Sequence, residues 1–257
     1  MQYLFGDSDI AARRLEVLAE VFAEPTRAFV LEAVAERPRL AVDLGCGPGC
    51  STKFLAGILD FDCIVGLDSS EHFISLAKKN QPEKFSFHLH DVTTVPFPVE
   101  PGDMLYCRFL LTHLPDPQAV VAEWAAQLRP KGLLLMEEVE WIRTRNSVFG
   151  FYLSIVEDML TDKSAALYVG PALDRLRSAP GLERRSSKVA NLLVPTHHAA
   201  AMFYLNIRTW KDQPFVRDNY SVSTIERLEK DLENLAGKSS GEMEIEWGLR
   251  QIVFERV

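Results

Sequence analysis

The sequence predicts an α/β protein built on a doubly wound, mostly parallel sheet, and three observations carry that expectation. Short apolar runs of strand length recur at 40–44, 63–67, 85–90, 104–108 and 133–139, most of them separated by helical stretches. Strands joined by helices of about ten residues imply right-handed crossovers and parallel pairing. The first run, Leu40 to Leu44, enters a turn with glycines at alternate positions, Gly45, Gly47 and Gly49. Side-chain-free backbone at that spacing lets the chain turn sharply and lets a ligand lie against bare peptide groups. Finally, 257 residues suffice for one sizeable α/β domain with length left for a cap.

The elements follow in order. Ile10, Leu15, Leu18, Val21 and Phe22 recur at helical spacing after Asp7, Ser8 and Asp9, each able to cap a helix. A second helix is expected over 26–36, after Pro25, and Pro38 separates it from the first strand. A helix over 51–59 leaves the glycine turn with its N-terminal amides facing the same ligand. Strand two, 63–67, ends in Asp68, and Ser70 caps a helix running to about residue 80. Strand three, 85–90, ends in Asp91; strand four, 104–108, is entered through Pro101-Gly102-Asp103. A helix over 117–128 and the turn Arg129-Pro130-Lys131-Gly132 lead to strand five, 133–139.

After Trp141 the rhythm changes. An aromatic-rich helix is expected over 147–160, a short helix over 171–178 and a strand over 187–194. Helices over 196–210 and 223–235, a turn at Lys238-Ser239-Ser240-Gly241 and a final strand over 242–256 complete the chain.

Composition narrows the function. A net charge of −8 disfavours nucleic acid and anionic membranes, whose binding needs clustered Lys and Arg. The local basic groups, Arg143 with Arg145 and Arg184, Arg185 with Lys188, read as solvated faces. Cys46, Cys50, Cys63 and Cys107 lack the partners of a zinc site, so no metal is expected and reduced thiols are the simplest account. The opening Met1-Gln2-Tyr3-Leu4-Phe5-Gly6-Asp7 has no signal pattern, and no stretch approaches a membrane span. A cytoplasmic protein is expected, either a monomer or a homodimer.

The glycine turn is a cofactor cradle. A dinucleotide fingerprint needs a sixth-position glycine, where Cys50 stands, and no Gly-Lys-Ser or Gly-Lys-Thr of a Walker loop follows. Asp68, at the end of strand two, can accept both hydroxyls of a ribose, which fits either NAD or an adenosyl ligand. Asp43, just before the glycines, is expected near a ligand ammonium, and Asp91 can accept from an adenine amino group. A ring of Asp43, Asp68 and Asp91 suits a cationic nucleoside better than a pyrophosphate.

Here the chain resembles the class I S-adenosylmethionine-dependent methyltransferases of small molecules, including the aconitate methyltransferase group. The matching residues are Val42-Asp43-Leu44-Gly45-Cys46-Gly47-Pro48-Gly49, Gly66-Leu67-Asp68-Ser69-Ser70, His90-Asp91-Val92, Phe109-Leu110-Leu111-Thr112-His113-Leu114 with Asp116, and Leu128-Arg129-Pro130-Lys131-Gly132. The resemblance covers about 40–140 and implies a Rossmann-like, seven-stranded sheet whose last strand is inserted as a hairpin. It implies a helical lid over 1–38, an S-adenosylmethionine-binding core over 39–140, and cap helices with the last two strands over 141–257.

It also implies that Gly45, Gly47 and Gly49 face the methionine part of the cofactor. Asp68, with Ser69 beside it, would hold ribose, and Asp91 with the Val92 amide would hold adenine. Arg108 and Phe109 would line the sulfonium region, and Arg14 would clamp the cofactor carboxylate. S-adenosylhomocysteine would be the product.

A hydroxyl or amine acceptor also needs a general base. His113 is the first candidate and Glu138, at the end of strand five, the second, with Glu137 beside it at the substrate rim. Tyr3, Trp141, Phe149, Tyr152 and Phe203 are expected to line an enclosed, partly aromatic pocket for a small molecule of the secondary-metabolite kind. Two alternatives stand beside this. One is esterification of a small polycarboxylate clamped by Arg143 and Arg145; the other is a noncatalytic S-adenosylmethionine-binding regulator.

Overall fold

The computed structural model describes residues 5–79, 81–238 and 243–257. Its core is a single sheet of eight strands: β1 (Leu40–Leu44), β2 (Cys63–Asp68), β3 (Phe85–Leu89), β4 (Gly102–Arg108), β5 (Leu128–Thr144), β6 (Ser178–Ala179), β7 (Leu182–Val194) and β8 (Ile245–Arg256). Their spatial order is β3-β2-β1-β4-β5-β8-β7-β6. The first five strands pair in parallel, and β8 is inserted antiparallel between β5 and β7. The inserted last strand is as the sequence implies. The eighth strand is the two-residue β6, too short to leave a periodic signal.

Strand β1 is short and apolar because both its faces are covered. Ala41 packs with Phe29 and Val30 on one side, and Val42 and Leu44 pack with Leu105 and Trp124 on the other. The helices are α1 (Asp9–Val21), α2 (Ala23–Ala33), α3 (Cys50–Ile58), α4 (Glu71–Ala77), α5 (Pro117–Trp124), α6 (Ser147–Asp162), α7 (Gly170–Arg175), α8 (Thr196–Trp210), α9 (Pro214–Asn219) and α10 (Val222–Ala236). The caps fall where the side chains dictate. Ser8 accepts from the Ala11 amide, Ser70 from Phe73 and Asp116 from Ala119.

A third apolar core lies beyond the sheet's C-terminal edge. There α6, α8 and α10 enclose Phe149, Ile155, Phe203, Ile207 and Leu232 against Trp247 and Leu249 of β8. Helix α1 packs on α8 and so bridges the cap to the glycine turn. Among the described residues, no helix is long and apolar enough to cross a membrane.

The largest difference from expectation is β5, which runs for 17 residues instead of ending at Val139. Its extension to Thr144 is held by β8, whose Ile245 pairs with Thr144. A bulge between Val139 and Trp141 breaks the alternation that would have announced it. Helix α4 stops at Ala77, short of the expected end. Tyr3, Asn80 and most of the turn before β8 lie outside the described residues.

Candidate active site

A cavity of about 680 Å³ opens at the C-terminal ends of the parallel strands, beneath α1, α6 and α8. That volume is in the range of about 300–1,000 Å³ typical of small-molecule sites. One half is polar and built on the glycine turn; the other is apolar and built by the cap.

The polar half begins at Gly45, Gly47 and Gly49, all at positive φ (67°, 54° and 84°). Any side chain there would be strained, and a Cβ on Gly47 would also press on Leu15 at 3.1 Å. Asp68 braces this turn: its Oδ2 accepts from the Gly47 amide (2.8 Å) and its Oδ1 from the Ser70 amide (2.8 Å). Burial raises the Asp68 carboxyl pKa, against the pull of those amides. Ser69 lines the cavity beside it.

Asp91 also lines the cavity, its Oδ1 accepting from the Thr93 amide (3.0 Å) and hydroxyl (2.7 Å). Burial pushes its pKa up, but the Thr93 bonds outweigh it and hold the carboxyl below its usual range. Val92 stands next to it, its carbonyl fixed by the Trp124 indole (2.8 Å). His90, quoted in the sequence motif but given no role, is a third wall residue, with Nε2 donating to the Thr94 carbonyl (2.8 Å). Bare backbone, the strand-end carboxylates Asp68 and Asp91, and the cavity-lining guanidinium groups of Arg14 and Arg108 together fit an adenosyl cofactor carrying an amino-acid end.

Asp43 is placed differently from expectation. It is 1% exposed and does not line the cavity. Its Oδ2 accepts from the Ser51 and Thr52 hydroxyls (2.6 Å each), because alternation along β1 turns it under the first turn of α3. Burial lifts its pKa to about 6. It anchors the start of α3 from below the glycine turn, away from the cavity.

His113, at the end of the short 3-10 helix Leu111–His113, does line the cavity, with Phe5 edge-on at 5.4 Å. Burial, with the Arg14 charge nearby, lowers its pKa to about 3, so the ring is neutral at physiological pH. Arg14 itself lies over Phe5 at 5.3 Å. Phe109 lines the cavity at φ 54°, edge-on to Phe22 at 4.9 Å.

Neither strand-five carboxylate reaches the cavity among the described residues. Glu137 turns under α2, where it accepts from Thr26 (2.7 Å), Tyr106 (2.6 Å) and Gln251 (2.7 Å). Glu138 turns to the opposite face, where its Oε1 accepts from the Leu110 and Leu111 amides (2.8 and 2.7 Å) and shapes the turn after β4. Its other oxygen is enclosed, with no hydrogen-bond partner among the described residues. The expected roles of Glu138 as base and Glu137 as substrate contact therefore give way to structural ones.

Burial lifts the Glu138 pKa from the ordinary 4.5 to about 8, so the folded chain keeps this proton after the unfolded chain has lost it. Stability should fall as pH rises from about 4.5 to about 8 and level off above that window. Asp43 contributes a slope of the same sign that ends near its own value of about 6. Glu138→Gln should then flatten the upper part, from about 6 to about 8, in thermal melts across pH. An unchanged slope would remove Glu138 as its source.

Of the expected aromatic lining, Tyr152 and Phe203 are in the cavity wall, stacked at 4.1 Å and 18°. Phe149 is fully buried behind them, edge-on to Phe203 at 5.4 Å. Trp141 faces away: the β5 bulge puts Val139 and Ile142 toward the cavity and lays the Trp141 indole over Gly248, with Arg143 stacked on it at 4.2 Å. Phe22, Val156, Met202 and Trp247 complete the apolar half, with one polar group among them, the Asn206 amide, which donates to the Tyr152 hydroxyl (2.6 Å). By spacing the four apolar residues are ordinary core residues, and only the tertiary approach of α1, α6, α8 and β8 brings them to one cavity.

The strand order, the inserted antiparallel strand and a cradle built on a glycine turn and two strand-end carboxylates define the class I methyltransferase fold. The methyltransferase domain family matches residues 42–136, the stretch that holds the first four strands, the glycine turn and the start of β5. The trans-aconitate 2-methyltransferase of Methylobacterium radiotolerans is 33% identical over 113 residues, 44% of this chain and 43% of that protein. The Variovorax paradoxus protein of the same name is 34% identical over 96 residues, 37% of each chain. The matched stretch thus spans less than half of these relatives.

Solved structures match over more of the chain. A candidate methyltransferase of Bacillus halodurans superposes with a TM-score of 0.56 at 18% identity, covering 89% of this chain and 96% of that one. A mycolic acid cyclopropane synthase complexed with S-adenosylhomocysteine gives 0.56 at 17% identity, covering 91% and 84%. At these identities the likeness is one of fold.

Proposed function

We propose that the protein transfers the methyl group of S-adenosylmethionine to a small, largely apolar acceptor enclosed beneath the cap. The observation that carries this reading is the set of apolar side chains, Tyr152, Leu153, Val156, Met202, Phe203 and Trp247, that lines the same cavity as the glycine turn. Arg143 and Arg145, the clamp a polycarboxylate would need, are exposed and do not line the cavity. The trans-aconitate enzyme of Methylobacterium radiotolerans matches 44% of this chain and 43% of its own length, so the likeness does not carry its acceptor across.

The bound cofactor supplies an activated methyl group on sulfur. The chain has to align the acceptor with it and exclude water. In this reading α1 and α2 close the donor side, and the cap formed by α6, α8 and α10 closes the acceptor side. His113, neutral in the cavity wall, accepts a hydrogen bond from an acceptor hydroxyl and takes its proton as methyl transfer to the oxygen makes that proton strongly acidic. A weak base suffices for that proton, so the rate should not vary with pH above the His113 pKa of about 3 unless the acceptor itself titrates.

Radiolabelled S-adenosylmethionine offered with a panel of apolar phenols, amines and polycarboxylates tests the reading. Methylation should be confined to the apolar acceptors, with Arg143→Ala/Arg145→Ala leaving it intact. For a hydroxyl acceptor, His113→Ala should lower it by about 10²–10⁴. Preferential methylation of a polycarboxylate, lost in the double arginine variant, would sink the proposal.

A further inference from the structure

We infer that Glu137, Thr26 and Arg108 form a relay that presents the Arg108 guanidinium to the carboxylate at the methionine end of the cofactor. Thr26 is fully buried near the start of α2. Its hydroxyl donates to Glu137 Oε2 (2.7 Å) and accepts from Arg108 Nη1 (3.0 Å). The one hydroxyl proton is committed to Glu137, so the oxygen lone pairs are left for Arg108 and the direction of the relay is fixed. Glu137 is itself immobilised, from β4 by Tyr106 and from β8 by Gln251.

The far end of the relay is open. Arg108 lines the cavity, and its other N–H groups have no hydrogen-bond partner among the described residues. Its charge acts on Asp43 and Cys50, the residues on either side of the glycine turn. Arg14, the other guanidinium in the cavity, lies over Phe5 at 5.3 Å, as Arg108 does over Phe109 at 5.8 Å, but its charge acts on His113.

Beside a sulfonium, a guanidinium would repel the reacting centre; beside a carboxylate it forms a charge-assisted pair. The assignment therefore moves Arg108 from the sulfonium to the carboxylate and gives it the part expected of Arg14. Thr26 and Glu137 are positioning residues that act through Arg108. The inference rests on the reading that the cavity binds S-adenosylmethionine.

Two probes separate these possibilities by calorimetry: S-adenosylhomocysteine, and 5′-methylthioadenosine, which keeps the adenosine and thioether but lacks the amino-acid end. Arg108→Gln should weaken S-adenosylhomocysteine by about ten- to a hundredfold and leave methylthioadenosine unchanged. Thr26→Val should weaken S-adenosylhomocysteine in part, again without touching methylthioadenosine, and Thr26→Ser should restore it. Should Thr26→Val fail to fold, the Arg108→Gln comparison carries the test alone. Equal losses for both probes, no loss in Arg108→Gln, or a selective loss confined to Arg14→Gln would each overturn the relay. A wild-type protein that bound neither probe would overturn the cofactor reading beneath it.

Discussion

Asp68→Ala should weaken S-adenosylhomocysteine binding by about a hundredfold, the largest effect on ligand affinity expected of any single cradle residue. The carboxylate has two tasks. It accepts from the Gly47 and Ser70 amides, which sets the path of the glycine turn against the start of α4. It also lines the cavity, where in the proposed placement of the cofactor its remaining lone pairs accept from the ribose hydroxyls. Alanine removes both and leaves two backbone donors to find water. Asp68→Asn keeps one carbonyl oxygen and cannot accept at both, so it should fall between the two in calorimetric affinity. Affinity unchanged in Asp68→Ala would reject this placement of the cofactor.

Glu137→Ala should cost about 3–5 kcal/mol of stability, as breaking a buried charge network does, and lower the melting temperature by about 10 °C. Thr26, Tyr106 and Gln251 would each lose the oxygen that now accepts from them, in a site with no exposure to water. Glu137→Gln retains one acceptor and should lose less, and Tyr106→Phe should lose about 1 kcal/mol. A substrate-contacting glutamate would behave otherwise, with activity falling and the melt unchanged. Thermal melts of these variants therefore separate the structural role of Glu137 from the one its place at the strand end first implied.

Much of the parallel core was legible because its signals are local. The branched run of β1, the alternate glycines and the carboxylate at the end of β2 lie within residues 40–68, and each is fixed by neighbours close in sequence. The extension of β5 was not legible, because its partner β8 arrives about a hundred residues later and a bulge hides the alternation. The same bulge explains why Trp141 was expected in the pocket and Ile142 was not.

Glu137 and Glu138 failed for a related reason. Strand position places them at the ligand-binding edge, but the hydroxyl of Thr26 and the amides of Leu110 and Leu111, all distant in sequence, claim their oxygens. Asp43 differs for a local reason: the hydroxyls of Ser51 and Thr52, just after the turn, claim its carboxylate and hold it under α3. Phe149 and Phe203 have the same helical spacing signal. Only the packing of α6 on α8 puts one behind the other.

The division of one cavity into a donor half on the glycine turn and an acceptor half under the aromatic cap is tested most directly by a crystal structure with S-adenosylhomocysteine. The ribose hydroxyls should lie on Asp68 and the adenine between Asp91 and Val92, with the sulfur facing an open compartment walled by Tyr152 and Phe203. A ligand seated away from Asp68, or one that fills the aromatic compartment itself, would contradict the account.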